Sequence, residues 1–210
     1  MKPTQIAATM ASLVSLVMAG AAPPANGGVA DAPLQVRQQV DDILPMSDMT
    51  WTGPIFPGDA TNTTLSGSAK SIYEQILAIN PKYAEENPVP DVEPPSGAQV
   101  EKRDGISCSY GGPVFYPNCD EGRKYLKALG GGSGWCGANA RSCARVSCSW
   151  KCGMQLCNTS GGYVQVYCRD IANDIEAIIN RCWFIMDGWN YANGRYTFGN
   201  HYTQLEWDSC

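Results

Sequence analysis

Apolar residues recur at helical spacing in two stretches of the first half of the chain. Residues 34–46 and 68–88 carry them three or four positions apart, in the sets Val36, Val40, Ile43, Leu44 and Ile72, Ile76, Leu77, Ile79. A proline follows each set, at Pro45 and Pro81, and proline ends a helix because it has no N–H to donate. The pattern predicts two short amphipathic helices, which together are too small to bury a core of their own.

Two further helices are predicted in the second half. In residues 118–130, Asn118 is a candidate N-cap, Glu121 completes a capping box and Gly130 ends the helix. Residues 168–182 give the clearest helical pattern, with Asp170 as a candidate cap. One face of this helix is apolar and comprises Ile171, Ile175, Ile178, Ile179 and Cys182.

Strand patterns lie between and after these helices. From Val146 to Leu156 apolar residues alternate, which predicts a hairpin turning at residues 151–153. Residues 163–168 predict a third strand, and the tail predicts a last hairpin about Gly199-Asn200. The same alternation would place Trp150 and Trp207 in the core. The expected fold is α+β, a small antiparallel sheet with two helices on one face.

The cysteines divide the chain in two. All ten follow residue 103, at Cys108, Cys119, Cys136, Cys143, Cys148, Cys152, Cys157, Cys168, Cys182 and Cys210. An even count at this density predicts up to five stabilising disulfides in an oxidising compartment, with a connectivity that the sequence does not reveal. We expect Cys168 and Cys182 to pin the two ends of their helix, and Cys210 to hold the C-terminus to the core.

The N-terminus indicates secretion. One lysine, an apolar run over residues 6–20 and the small residues Ala19-Gly20-Ala21 predict a signal peptide at residues 1–21. The apolar run is too short to span a bilayer, and no later stretch is long and apolar enough. We therefore expect an extracellular protein with no stable membrane span.

Charge and composition also change near residue 103. Residues 1–103 hold 11 acidic and 6 basic residues, whereas residues 104–210 hold 9 of each. The pair Lys102-Arg103 lies at this boundary and predicts cleavage by a kexin-type protease. Residues 22–103 would then be an acidic, cysteine-free pro-segment, partly helical and partly disordered, that docks on residues 104–210, the disulfide-rich α+β domain. The neutral second half gives no electrostatic signature of nucleic-acid binding.

Two sequons predict glycosylation, at Asn62 and Asn158. The first lies in a Ser/Thr/Gly-rich stretch that is typical of an exposed loop.

The sequence offers no catalytic constellation that stands out, and we expect a protein that is not an enzyme. Short cysteine spacings could bind zinc, but there is no C-x₂-C pair and one histidine, so neither a metal nor another cofactor is expected. A ribonuclease-like hydrolase would need His201 together with Glu206 and Arg195. The simpler interpretation makes His201 a turn residue.

The run after Cys182 concentrates apolar side chains in what reads as a loop: Trp183, Phe184, Ile185, Met186 and Trp189. An apolar loop is either buried or a contact patch, and we take this one as the candidate functional surface. Because exposed aromatic rings stack on sugars, binding to cell-wall carbohydrate is an alternative function.

Residues 143–210, with "CARVSCSWKCGMQLCN" followed by "CRDIANDIEAIINRC", resemble small secreted cysteine-rich fungal proteins. The element order is similar to killer-toxin and necrosis-inducing effector folds. The resemblance implies a secreted effector or toxin, monomeric, that binds an extracellular protein or a cell-wall target. It implies no catalytic residues, and this chain departs from the pattern by the extra cysteine Cys152 and by the apolar run after Cys182.

Overall fold

The computed structural model describes residues 44–91, 105–131 and 133–210, and all of them belong to one compact unit. The predicted signal peptide and the pair Lys102-Arg103 lie outside these residues. The strands are β1 Met46–Gly53, β2 Thr63–Gly67, β3 Ile106–Cys108, β4 Val114–Phe115, β5 Trp135–Ala138, β6 Ser142–Ser149, β7 Cys152–Asn158, β8 Val164–Tyr167, β9 Phe184–Met186, β10 Trp189–Ala192, β11 Gly194–Thr197 and β12 His201–Trp207. The helices are α1 Ala69–Ile79, α2 Tyr83–Glu86, α3 Asp120–Leu129 and α4 Cys168–Cys182, with a 3₁₀ turn at Tyr116–Cys119 before α3.

The α+β class is confirmed, but the sheet is larger and more mixed than expected. Nine strands form one sheet in the order β3-β11-β12-β7-β6-β1-β5-β8, with β2 paired to β1. The strands β1 and β6 run parallel and the other pairs run antiparallel. A second sheet has three strands in the order β4-β10-β9. The expectation of two helices on a small sheet is therefore too simple, since α1 and α2 belong to the fold as well.

The three longer helices pack in series. Helix α1 contacts α3, and α3 contacts α4, which in turn lies against β3, β11 and β12. At the junction of α3 with β6, a Cβ on Gly122 would overlap the side chain of Ser147. Glycine at this position therefore lets the helix approach the sheet closely.

The predicted helices α1, α3 and α4 are present, but two of their expected caps are wrong. The side chain of Asn118 donates to the carbonyl oxygen of Trp150 at 2.8 Å, and α3 begins directly after the 3₁₀ turn, with Cys119 in the cap position. Helix α4 begins two residues before Asp170, which lies in the first turn instead. There its carboxylate still complements the partial positive charge of the helix N-terminus.

Both predicted hairpins are present, but the first turns at residues 150–151 and not at the expected residues 151–153. The β6–β7 hairpin turns through Trp150 and Lys151, whose φ angles of 50° and 69° fit the tight turn that matches strand twist. The β11–β12 hairpin turns at residues 198–200, as the tail pattern indicated. Trp150 and Trp207 are not core residues, because both side chains are exposed. Trp150 lies in the turn between β6 and β7, and Trp207 is the last residue of β12.

All ten cysteines are paired, in the five bridges Cys108–Cys182, Cys119–Cys152, Cys136–Cys168, Cys143–Cys157 and Cys148–Cys210. The two ends of α4 are each pinned, one to β5 and the other to β3. The terminal residue is tied to β6. The extra cysteine at the hairpin turn, Cys152, attaches β7 to the 3₁₀ turn.

Part of the cysteine-free first half belongs to the large sheet. Residues 34–43 of the first predicted helix lie outside the described residues, and its last position, Met46, begins strand β1 instead. Strand β1 lies between β6 and β5 inside the large sheet. The change in composition near residue 103 is therefore not a boundary in packing: residues 44–91 share one core with the cysteine-bearing chain.

Candidate functional site

The apolar run after Cys182 forms the hairpin β9–β10, which joins β4 to make the small sheet. The hairpin turns at Asp187-Gly188, with φ angles of 52° and 81°, a geometry that glycine and aspartate tolerate well. All three residues of β9 are exposed, as are Trp183 before it and Trp189 after the turn. The expected loop is thus a strand pair, and its exposure agrees with a contact patch and not with a buried Ω-loop.

One side of this sheet is almost entirely aromatic. Residues paired across antiparallel strands project from the same side, so the pairs Tyr191–Phe115, Tyr191–Phe184 and Trp189–Met186 share a surface. We call this surface the aromatic face, comprising Phe115, Phe184, Met186, Trp189 and Tyr191.

Ring contacts hold the aromatic face together. Phe115 meets Trp189 edge-on at 5.5 Å between ring centroids and Tyr191 at 6.3 Å, while Phe184 stacks on Tyr191 at 6.2 Å. Such pairs are worth about 0.5–1.5 kcal/mol beyond area burial, so the rings support one another in a fixed arrangement. Trp189 nevertheless remains 60% exposed.

The rim of this sheet carries little charge. Ile185 and Asn190 are paired on the opposite side from the aromatic face, and Ile185 is 66% exposed. Asp187, at the turn, is the one charged residue in the hairpin. Contiguous exposed apolar surface is uncommon on monomeric proteins and marks contact sites, and a neutral rim favours recognition by shape and apolar burial over charge steering.

The residues of the ribonuclease hypothesis are not brought together. Positions five apart on a strand face opposite sides, so His201 and Glu206 project from different faces of β12. Arg195 is paired with Gln204, two positions from Glu206, and therefore lies on the side of Glu206.

His201 and Arg195 also have other partners. His201 Nδ1 lies 2.8 Å from the Asn200 side-chain oxygen, and burial lowers the pKa of His201 below its usual value. Arg195 Nε donates to Gln204 at 3.1 Å, and its guanidinium lies 3.8 Å from the Tyr202 ring centroid. The structural role of His201 that the sequence favoured agrees with this geometry.

A polar row crosses the sheet on the side of Arg195. Cross-strand pairing places Arg195, Gln204, Gln155, Arg145 and Asp48 next to one another on β11, β12, β7, β6 and β1. Sequence reasoning missed this row because its members lie on five strands that are far apart in the chain. Most of its groups form hydrogen bonds with one another or with neighbouring side chains, including Gln155 to Glu206 at 2.6 Å. The row therefore stabilises the polar surface of the sheet.

The structure describes no metal site. Among residues 44–91, 105–131 and 133–210, no group of three or more histidine, cysteine, aspartate or glutamate side chains is arranged to hold an ion. None of the described helices is long and apolar enough to cross a membrane.

The two sequons differ in their surroundings. Asn62 is exposed between β1 and β2. Asn158 is fully buried, and its side-chain nitrogen donates to the carbonyl oxygens of Ala138 at 3.1 Å, Asn139 at 3.0 Å and Gly162 at 2.7 Å. Its side-chain oxygen accepts from the backbone N–H and the hydroxyl of Ser160.

We therefore expect Asn158 to carry no glycan, because a sugar on its nitrogen would break these bonds inside the protein. Peptide mass spectrometry of protein from a eukaryotic secretory host checks this. The change Thr64→Ala, which removes the exposed sequon, is the control and should abolish any glycan mass. A glycan on the Asn158 peptide of folded protein would contradict the expectation.

Comparison with known proteins finds no match: no family model, no curated protein and no solved structure is similar to this chain. Fold and site together define a disulfide-stapled α+β protein with an exposed aromatic face.

Proposed function

We propose that this chain is a secreted effector or toxin-like protein, acting by binding an extracellular host or competitor target through its aromatic face. The observation that carries the proposal is the exposure of that face together with the exposed Ile185 on the other side of the same hairpin. Five disulfides hold the fold that presents it, and bridges of this kind persist in oxidising surroundings outside the cell.

The arrangement of the rings favours a protein surface over a carbohydrate. Stacking on a sugar needs a ring whose flat face is open, and extended glycan sites align several such faces. Here Phe115 and Trp189 are nearly perpendicular, with 87° between their planes. A tilted cluster with Met186 beside it fills a shaped apolar pocket, as aromatic anchors do at protein interfaces.

The double change Met186→Ser with Trp189→Ser is expected to remove target binding without unfolding the protein, because these two side chains pair on the aromatic face and both are exposed. Loss of two central apolar anchors costs about 2–4 kcal/mol each, so affinity should fall by at least about 500-fold. The readouts are binding of labelled full-length protein to plant or fungal cells, and the necrosis or growth inhibition it causes.

Trp150→Ser is the matched control, since this tryptophan is 77% exposed but lies in the β6–β7 turn. Its cell binding should equal that of the unchanged protein. Equal loss in both variants, or no loss in the double variant, would defeat the proposal. Retention on chitin or glucan that depends on Trp183 and Trp189 would show the carbohydrate alternative instead.

A further inference from the structure

We infer that residues 44–91 are a permanent, non-covalently held part of the working protein, so that a chain break before Gly105 yields a two-chain complex. The partner that fits the surface of residues 105–210 is thus the β1–β2–α1 segment of this same chain. The inference concerns how the protein is built and goes beyond the proposed target binding.

Backbone pairing provides the first contact between the two parts. Strand β1 pairs with β6 through Met46–Asp48 and with β5 through Thr50–Thr52. The N–H of Cys143 also donates to the carbonyl oxygen of Pro45 at 2.9 Å. Without β1, both neighbouring strands would present unpaired N–H and C=O groups.

Buried apolar side chains provide the second contact between residues 44–91 and residues 105–210. Met49, Trp51, Ile72 and Ile76 are each 0% exposed, and all belong to the core cluster that includes α3 and α4 residues. The Trp51 indole N–H donates to the carbonyl oxygen of Leu129 at the end of α3, at 3.3 Å. A large apolar core shared by two segments is the signature of an obligate interface.

Side-chain contacts between α1 and α3 provide the third contact between the two parts. Tyr73 packs on Tyr125 with ring centroids 5.5 Å apart. Lys70 pairs with Glu121 at 3.0 Å, and their hydrogen bond raises the pKa of the lysine and lowers that of the carboxyl. These polar groups lie at the rim of the contact. They fix how α1 aligns with α3 and add little to the affinity between the two parts.

No covalent bond other than the chain itself joins the two parts. All five disulfides connect residues between 108 and 210. After cleavage at Lys102-Arg103, which the sequence predicts, the interface alone would hold residues 44–91. Cleavage would therefore convert one chain into two without releasing a separate domain.

The test cuts the full-length protein in a controlled way. A recognition sequence for a site-specific protease replaces residues within 93–101, and complete cleavage is verified by electrophoresis under denaturing conditions. Native size-exclusion chromatography with light scattering at about 1 µM should then give one peak with the mass of both fragments, which means a Kd below about 10 nM. Two separate peaks, or loss of residues 44–91 from the larger fragment, would overturn the inference.

A variant pair links the result to this interface. Trp51→Ala in the cut protein is expected to weaken association of the two fragments by at least about a hundredfold. Truncation of a buried tryptophan is among the most destabilising substitutions in a protein core. Trp150→Ala should leave the complex intact. Equal behaviour of the two variants would show that other contacts hold the fragments. Activity is not read out, so failure here is distinct from failure of the proposed function.

Discussion

A chain that begins at Asp104 is expected not to fold, although it contains every cysteine. It lacks β1 and α1, and with them eight buried residues: Met49, Trp51, Ile55, Ala69, Ile72, Tyr73, Ile76 and Tyr83. The larger of these side chains contribute about 1.5–3 kcal/mol each on burial, so their sum matches or exceeds the roughly 5–15 kcal/mol by which a domain is stable.

The disulfides do not compensate for this loss. A bridge stabilises mainly by restricting the unfolded chain, and it supplies no apolar surface to cover a core that has lost one side. In the truncated chain the residues that face Trp51, Leu129 among them, would be open to water. We expect mixed disulfides and exposed apolar surface in place of one native isomer.

The measurement compares residues 104–210 with the full-length protein after secretion from the same host. Near-ultraviolet circular dichroism, disulfide mapping and a denaturant titration report on packing, pairing and cooperativity. Refolding the truncated chain in the presence of a peptide of residues 44–91 should restore all three. Cooperative unfolding of residues 104–210 alone, with the five native bridges, would contradict the prediction.

Arg123→Ala is expected to cost about 2–5 kcal/mol, the range found when a large, fully buried side chain is truncated. The Arg123 side chain is 0% exposed in α3. Its Nη1 donates to Asp120 at 2.9 Å, and its Nη2 donates to Glu176 of α4 at 2.9 Å. Its Nε has no partner among the described residues, so the site is stabilised by the two carboxylates alone. The change would leave a cavity between α3 and α4 and would leave Asp120 without its cation, whereas Glu176 would keep its pair with Lys127 at 3.4 Å.

Denaturant unfolding with the disulfides intact gives the free energy of unfolding for this variant. Arg123→Met should recover part of the loss, because its side chain fills most of the space, and both carboxylates are about a third exposed and can take up water. Lys124→Ala is the control: its pair with the fully exposed Asp91 should be worth under about 1 kcal/mol. A cost for Arg123→Ala no greater than for Lys124→Ala would refute the assignment.

The parts of the fold that could be predicted from the sequence are those with local periodic signals. Helix α4 carries an apolar face of four isoleucines between two cysteines, and the β6–β7 and β11–β12 hairpins have turn signals between alternating strands. The bridges of Cys168 and Cys182 were expected as anchors, but their partners were not, because pairing depends on which strands become neighbours.

Strand β1 was missed although its sequence holds a signal. Met49, Trp51 and Gly53 alternate and are all buried, a period of two that follows directly after the proline of the predicted helix. The change in charge and cysteine content at residue 103 carries no information about this pattern. Composition records charge and cysteine content, whereas packing depends on which apolar residues find partners.

The candidate site was identified as a group of residues but not as a structure. The concentration of apolar residues from Trp183 to Trp189 indicated an exposed patch, and Asp187-Gly188 was an available signal for a hairpin. The contributions of Phe115 and Tyr191 could not be predicted, since Phe115 reaches the face through a two-residue strand that has no periodicity of its own.

The burial of Trp51 gives the protein an internal optical reporter. Four of the other tryptophans, Trp150, Trp183, Trp189 and Trp207, are between 42% and 77% exposed, so we expect them to emit at longer wavelengths than a tryptophan shielded from water. Trp51 alone is fully enclosed, with its N–H bonded to a backbone carbonyl. The short-wavelength edge of the tryptophan fluorescence therefore reports whether residues 44–91 are packed against the cysteine-bearing chain, without any added label.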